Sequence, residues 1–393
     1  MNSCPDADPL ILWALVVGWR QGRRIVNQLQ GFLAKPLTRR EAVRFLGAAS
    51  GSLLLGKSVS GWQKVPLSVT AGASDIAFPK GAVIRTILAD MPPAALASGP
   101  VLFHEHLSLH LAGLEEHFTD DVALMIEEVK AAGREGVSCI VDAGHADMGR
   151  RMDALQRIAA ESKVPIVASG GYYLQRTYPP DIATKTADEI ADLLVHEAKA
   201  QRWGALGEIG QQGGELIADE RKVFQAVAKV QDRIGLPIFT HNAYLGARSP
   251  ANGVPRDAAI RQLDVLESAG AKPEHVAIGH VCCLDDPKAE IATQLARRGA
   301  FVGFDRVTIP IVPDAQKAGA IMAMVEAGYA DKLLISSDFY SQRSLKKNGG
   351  AGIGQAVTVL KPMLLKAGMS EELLHSILVD NPRRFLAFVP RNP

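Results

Sequence analysis

The fold class that this sequence predicts is α/β, and within that class a (β/α)₈ barrel. From about Pro100 onward, short apolar runs alternate with helix-like stretches, which is the pattern of βα units and a parallel sheet. Eight such units fit the span from Pro100 to the C-terminal helices, because a barrel of this kind needs about 250 residues. Several of the runs also end on polar side chains, and the C-terminal ends of barrel strands share one face.

The strands and helices can be placed individually from this pattern. The strands are predicted at Val101–Leu107, Ser138–Gly144, Ile166–Tyr172, Ala205–Gly210, Pro237–Asn242, His275–His280, Ala300–Asp305 and Leu333–Asp338. Helices are predicted between them, among them Asp121–Glu135, Asp188–Arg202, Asp219–Ile234, Arg256–Ala269 and Pro287–Arg298. A doubly wound open sheet is the alternative fold, and it is disfavoured because no glycine-rich phosphate turn follows an early strand.

The N-terminal region, residues 1–73, is a different kind of sequence. Arg39-Arg40 is followed by Phe45-Leu46 and a weakly apolar, glycine- and alanine-containing run, which resembles a twin-arginine export signal. Candidate small-x-small cleavage sites end at Ser60 and at Ala73. With cleavage after Ala71-Gly72-Ala73, which we prefer, the twin-arginine machinery would export residues 74–393, the barrel, to the periplasm. The alternative is an amphipathic helix that carries two arginines. The apolar segment Pro9–Trp19 is too short to span a bilayer, so no stable membrane span is expected in the mature protein.

Composition excludes several classes of partner. Lys and Arg total 43 against 42 Asp and Glu, so there is no electrostatic case for nucleic acid or an anionic membrane surface. Aromatic residues make up 6% of the chain, which also argues against a base-stacking surface. The four cysteines form no CxxC pair and no disulfide framework, so folding does not require an oxidising compartment.

Histidines and carboxylates mark the ends of the predicted strands. His104 and His106 are two apart and share one face of their strand. The later members of the set are Glu208, His241, His280 and Asp338. Imidazoles and carboxylates are the ligands of hydrolytic zinc-type centres. Each residue alone is a weak signal, but a set that recurs at strand ends predicts a metal-dependent hydrolase.

These motifs, taken in order, resemble those of a known family. HEH, GEIG, PIFTH, AIGH and ISSD, followed by a closing segment around Asp380-Asn381-Pro382, are similar to the phosphotriesterase family of the amidohydrolase superfamily. The resemblance extends from about residue 100 to Phe388. Because Glu208 stands where some members carry a carboxylated lysine, the chain resembles the glutamate-bridged branch, the phosphotriesterase homology proteins. It also resembles the phosphotriesterase-like lactonases.

The resemblance implies a binuclear centre with two divalent metal ions, zinc being the first expectation and manganese, cobalt or iron the others. His104, His106 and Asp338 would hold the more buried ion, His241 and His280 the more exposed one, and Glu208 would bridge them. A hydroxide bridging the two ions would then be the nucleophile, with Asp338 as its proton acceptor. Related barrels are often homodimers, so a homodimer is a further expectation.

Substrate recognition is less clearly marked in the sequence. Tyr172 and Arg306 resemble residues of the lactonase relatives, and the other reading of both is structural. One departure concerns the aspartate that family members usually carry shortly after the sixth-strand histidine, where it relays protons. Here Val281-Cys282-Cys283 follows His280, with acids only at Asp285 and Asp286. Either the relay is absent or a displaced acid replaces it.

The function expected from these features is hydrolysis of ester bonds in a small molecule, a phosphotriester or a lactone or other carboxylic ester. An amidohydrolase acting on C–N bonds is one alternative, with His145 as its candidate proton donor. The other alternative is an exported metal-binding protein without catalysis. An intact set of ligands that includes Asp338 argues against it, because a pure binding site needs no open coordination position.

Overall fold

Eight parallel strands form one sheet, and their order across the sheet follows their order along the chain. The computed structural model describes residues 76–111, 119–242, 255–284 and 286–391. A short hairpin of β1 (Ile84–Arg85) and β2 (Asp90–Met91) precedes the sheet. The strands of the sheet are β3 (Val101–Glu105), β4 (Cys139–Asp142), β5 (Ile166–Gly170), β6 (Ala205–Gln211), β7 (Ile238–Asn242), β8 (Val276–Ile278), β9 (Phe301–Phe304) and β10 (Leu333–Ile335).

Hydrogen bonds between β3 and the segment after β10 bring the two edges of the sheet together. The backbone N–H of Asp338 donates to the His104 carbonyl at 3.0 Å, and that of His106 donates to the Phe339 carbonyl at 2.9 Å. The backbone N–H of His104 also donates to the Ser336 hydroxyl at 3.0 Å. The sheet therefore curves into a nearly closed barrel, and the predicted (β/α)₈ fold is confirmed.

Helices alternate with the strands, and several begin at residues that cap them. Asp121 accepts from the backbone N–H of Leu124, and Thr186 and Glu189 form a capping box. The helices are α1 (Val122–Arg134), α2 (Met152–Ser162), α3 (Ala187–Ala200), α4 (Ala218–Ile234), α5 (Ala258–Ser268), α6 (Glu290–Arg297), α7 (Asp314–Glu326), α8 (Lys361–Lys366), α9 (Glu371–His375) and α10 (Asn381–Leu386). Most of the strands end earlier than the sequence predicts.

Two apolar layers hold the barrel together. One lies between the strands and the helices, and the other fills the barrel interior. In the interior, the Phe103 ring meets the rings of Phe239 and Phe385 edge to face, with centroids 6.2 and 6.3 Å apart. The same Phe103 ring lies 5.8 Å from the imidazole of His104, so this aromatic cluster supports the residues above it.

Within the described ranges, no helix is both long and apolar enough to cross a bilayer. The export signal expected in residues 1–73 lies outside the described residues.

Candidate metal centre

The six residues predicted as metal ligands meet at the C-terminal end of the barrel. Three of them stand on strands, His104 on β3, Glu208 on β6 and His241 on β7. The other three, His106, His280 and Asp338, lie just beyond β3, β8 and β10. Their ligand atoms form two groups, each with all atoms within 4.8 Å of one another. The first group is His104, His106, Glu208 and Asp338, and the second is Glu208, His241 and His280.

Glu208 belongs to both groups. Its Oε2 lies 3.1 Å from His104 Nε2 and 2.8 Å from His241 Nδ1, while its Oε1 lies 3.4 Å from His106 Nε2. Burial opposes ionisation of this carboxyl group, but the charges of His241 and His104 outweigh it and hold the pKa of Glu208 well below its usual range. A buried, ionised carboxylate between two clusters of imidazoles has the position of a bridging ligand.

Asp338 is held in place by its neighbours on two sides. Its Oδ1 lies 3.2 Å from His106 Nε2, and its Oδ2 accepts a hydrogen bond from Arg306 Nε at 2.9 Å. Burial works against its charge, but the hydrogen bond from His106 and the charge of Arg306 hold the pKa of Asp338 below its usual range. Behind it, buried Glu105 accepts from the Ser336 hydroxyl at 2.8 Å and ties this turn to β3.

Two of the ligand residues have left-handed backbones, with φ of 58° at His280 and 48° at Asp338. Residues other than glycine adopt this conformation at an energetic cost, and it concentrates where the surroundings enforce it. The N–H of His280 donates to Asp305 Oδ1 at 2.8 Å. The N–H of Phe339, next to Asp338, donates to Glu105 Oε2 at 2.8 Å. The left-handed turns aim both side chains into the centre.

Asp305 orients imidazoles of both groups, a role that the sequence did not reveal. Its Oδ2 lies 2.9 Å from His104 Nδ1 and its Oδ1 lies 3.0 Å from His280 Nδ1. In a neutral imidazole, Nδ1–H donation to this carboxylate would leave Nε2 without a proton and facing the centre, as a metal ligand must be. From the sequence, Asp305 was marked only as the last residue of the predicted strand Ala300–Asp305.

The residues present fit divalent metal ions. His104 Nε2 is buried and has no hydrogen-bond partner in the described chain, although Glu208 Oε2 is 3.1 Å away. Such an orphaned nitrogen, surrounded by carboxylate oxygens and imidazoles, matches a cation site better than a hydrogen-bond network. Nitrogen and oxygen ligands suit zinc, and also manganese, cobalt and iron.

A cavity of about 110 Å³ opens above the centre. Its floor is formed by His106, Glu208, His241 and Asp338, and its apolar wall by Leu109, Leu111 and Met148. The remaining described residues that line it are polar, namely Tyr173, Arg176, Arg306 and Tyr340. A small molecule in this cavity would therefore contact both the ligand residues and two guanidinium groups.

The tyrosine beside the centre is Tyr173 and not Tyr172, which corrects the placement expected from the sequence. Tyr173 Oη lies 3.4 Å from His241 Nε2, whereas the Tyr172 ring packs against Tyr178 with centroids 5.9 Å apart. The cause is local: β5 ends at Gly170, and Gly171 with φ of 135° reverses which side chain faces the cavity. Burial raises the pKa of Tyr173 well above its usual range, so its hydroxyl is neutral.

The other residues singled out in the sequence divide into two kinds. Arg306 lines the cavity, as expected of a substrate residue. Asp286 does not serve as a displaced relay acid, because it accepts from the N–H groups of Glu290 and Ile291 at 2.8 Å each and caps α6. Asp285 lies outside the described residues. His145 is buried 3.5 Å from Asp147 and is not among the described residues that line the cavity.

The C-terminal face of this nearly closed α/β barrel carries two groups of histidines and carboxylates, and the two groups share Glu208. This is the architecture of binuclear hydrolases. Comparison with known proteins narrows this class. The model of the phosphotriesterase family matches residues 83–386. The chain therefore belongs to the phosphotriesterase family, a family of hydrolases.

Individual relatives carry different names. The phosphotriesterase homology protein of Escherichia coli (strain K12) is 28% identical over 298 residues, 73% of this chain and 98% of that protein. Its crystal structure, with phosphate in the active site, superposes with a TM-score of 0.67 over 74% of this chain and 99% of that chain. An N-acetyltaurine hydrolase of Danio rerio is 25% identical over 310 residues, 75% of this chain and 83% of that protein. A lactonase from Listeria monocytogenes shares the fold, with 24% identity and a TM-score of 0.69 over 78% of this chain and 99% of that chain.

Proposed function

We propose that this protein hydrolyses ester bonds of small molecules, carboxylic esters and lactones ahead of phosphotriesters. The observation that carries the proposal is the position of Glu208, shared by two ligand groups directly beneath an open cavity. Two divalent ions bound there, zinc in our proposal, would supply a hydroxide at neutral pH and polarise the scissile carbonyl.

The protein's own groups have separate tasks in this reaction. Asp338 is ionised, lines the cavity and accepts the proton that water must lose. Arg306 holds Oδ2 of that carboxylate, while Oδ1 faces the centre 3.2 Å from His106 Nε2. The neutral hydroxyl of Tyr173 donates a hydrogen bond to the substrate oxygen above His241. The apolar wall of Leu109, Leu111 and Met148 excludes water from the bound acyl group.

Carboxylic substrates are favoured over phosphotriesters by the segment after His280. Some family members relay protons through an acid at this point. That acid has no counterpart among the described residues here, since Asp286 caps a helix. Cys283 lies there instead, with its Sγ 4.0 Å from an Arg306 nitrogen. Since no relay acid is found among the described residues, we expect phosphotriester turnover to be slower than that of carboxylic esters.

The test is hydrolysis of a paired panel, paraoxon-like triesters against acyl and alkyl lactones, by full-length protein of measured metal content. We expect lactone turnover to dominate and to fall in Tyr173→Phe and Arg306→Gln. Dominant triester turnover would overturn the preference stated here. Two bound metals with no turnover on a broad ester panel would instead support a metal-binding protein without catalysis.

Hydrolysis of an amide is the second candidate, because relatives with 25% identity are named N-acetyltaurine hydrolases. An amine leaving group must be protonated, and His145 lies outside the described cavity lining. In this case Asp338 would return its proton to the leaving nitrogen. Loss of amide hydrolysis in His145→Ala with metal retained would restore His145 as the donor and favour the C–N reaction.

We also propose that residues 1–73 direct export to the periplasm by the twin-arginine route, and that the mature protein is a homodimer. The support for export is the sequence Arg39-Arg40 with its following apolar run. A mature N-terminus at residue 1 in an exported fraction would contradict it. Light scattering on the purified protein measures the oligomeric state, and elemental analysis identifies the metal.

A further inference from the structure

Arg176 stands at the cavity on a turn that is fixed from below. The turn is the short 3₁₀ helix Gln175–Thr177, whose N–H at Thr177 donates to the Leu174 carbonyl at 2.8 Å. The Thr177 hydroxyl and the backbone N–H of Tyr173 both donate to Asp147 Oδ2, at 2.8 and 2.9 Å. The Asp147 side chain is 1% exposed. One buried carboxylate therefore sets the position of the whole turn relative to the centre.

The side chain of Arg176 is exposed, lines the cavity and has no acidic partner among the described residues. Within the described part of the chain, no carboxylate forms an ion pair or hydrogen bond with it. The acids among the described residues that line the cavity are Glu208 and Asp338, and both face the histidines. Asp338 is in addition paired with Arg306. Arg176 is thus an uncompensated cation on a rigid support at the edge of the site.

The charge balance of the loaded site points to the substrate. With two divalent ions bound, the ions and the guanidinium groups of Arg176 and Arg306 would outweigh the three nearby carboxylates, those of Glu208, Asp338 and Asp305, so the potential above the centre would be positive. Clefts lined by one sign of charge concentrate ligands of the opposite sign. A guanidinium group also binds carboxylate, sulfonate and phosphate oxygens through parallel hydrogen bonds.

We propose that Arg176 binds an anionic group at the end of the substrate remote from the scissile bond, so that the preferred substrates are anionic esters. The inference rests on the proposed hydrolase function and names the substrate class of the same site. The anionic group is not altered in the reaction. Water supplies the hydroxyl to the acyl carbon and the proton to the leaving oxygen as the acyl–oxygen bond breaks.

The test compares two substrates of similar length that differ in charge, 4-nitrophenyl butyrate and mono(4-nitrophenyl) succinate, on full-length, metal-loaded protein. The wild type should favour the anionic succinate half-ester. In Arg176→Gln the KM for this half-ester should rise by about 10- to 100-fold, the range expected for a lost charged hydrogen bond. Arg176→Lys should recover part of the preference. The preference should also weaken with added salt in the wild type and less so in Arg176→Gln.

A matched control is Arg157→Gln, which removes an exposed arginine of α2 that pairs with Glu161 and does not line the cavity. It should leave the ratio between the two substrates as in the wild type. Equal use of both substrates by the wild type, or an equal loss on both in Arg176→Gln, would overturn the assignment.

A second readout separates this inference from the proposed function. Binding of succinate to metal-loaded protein, measured by calorimetry, needs no turnover and should weaken in Arg176→Gln but not in Arg157→Gln. If neither nitrophenyl ester is hydrolysed, the proposed ester hydrolysis fails, while succinate binding still decides the role of Arg176. Equal succinate affinity in both variants and the wild type would refute it.

Discussion

Replacement of Asp305 by asparagine is expected to weaken metal binding without unfolding the barrel. Asp305 is fully buried and accepts from His104 Nδ1 through one oxygen, and from the side chain and backbone N–H of His280 through the other. An asparagine retains one accepting oxygen. If the Oδ1 of the asparagine accepts from both donors of His280, its amide nitrogen faces His104 Nδ1. The N–H groups of the amide and of His104 Nδ1 then point at one another.

The conflict can be relieved only if His104 moves its proton from Nδ1 to Nε2. Nε2 is the atom that lies 3.1 Å from Glu208 and faces the centre, so the protonated form cannot act as a ligand. Loss of such an orienting partner costs about 10- to 100-fold in metal affinity, which corresponds to about 1.4–2.7 kcal/mol. The ion held by His104 should be affected most.

The assay is competition with a metal chelator, together with the bound metal per chain after dialysis. Asp142→Asn is the matched control, because Asp142 is equally buried and lies at the C-terminal end of another barrel strand, β4. It accepts from the backbone N–H of Leu107 at 2.8 Å and forms no hydrogen bond or ion pair with an imidazole of the described residues. Thermal unfolding should confirm that both variants fold. Metal affinity in Asp305→Asn equal to that in Asp142→Asn would refute the reasoning about imidazole orientation.

Three further outcomes are expected. Asp338→Asn should retain much of the metal and lose about 10²- to 10⁴-fold in kcat, the range for a proton acceptor; unchanged turnover would contradict its role. Tyr173→Phe should lower kcat/KM for lactones by about tenfold, the value of one hydrogen bond, and Tyr172→Phe should not; the reverse order would restore the original assignment. Burial disfavours the charged form of His106, but Asp338 and Glu208 outweigh it and raise its pKa to about 9 in the metal-free protein. Since that proton must leave before metal binds, affinity measured by chelator competition should rise between pH 6.5 and 9, and a flat profile would argue against the His106–Asp338 contact.

The fold, and the meeting of the six predicted ligand residues at one end of it, could be predicted because both depend on local pattern. Apolar runs of strand length between helical stretches specify a parallel barrel, and the barrel places the ends of those strands on one face. His104, Glu208 and His241 stand on strands, so alternation along the strand largely determines where each side chain points. No knowledge of distant contacts was needed for these residues.

The features of the site that the sequence did not predict depend mostly on contacts between residues far apart in the chain. Asp305 and His104 are separated by 201 positions, and no local pattern reveals that the acid orients the imidazole. The left-handed turns at His280 and Asp338 are enforced by tertiary hydrogen bonds rather than by glycine. Tyr172 was predicted from its resemblance to a residue of the lactonases, but β5 ends at Gly170 and the chain then turns Tyr173 to the cavity.

The predicted metal ligands and the residues proposed to recognise the substrate lie on different parts of the barrel. The ligands stand on or next to barrel strands that pair on both sides, so their geometry is rigid and tolerates little change. Tyr173 and Arg176 lie instead in the connection after β5, which is anchored through Asp147. Among the described residues, this connection contacts a predicted ligand through Tyr173, whose Oη lies 3.4 Å from His241 Nε2. Exchange of residues 174–177, with Tyr173 kept, for the corresponding segment of a relative should therefore alter substrate preference while metal content stays the same.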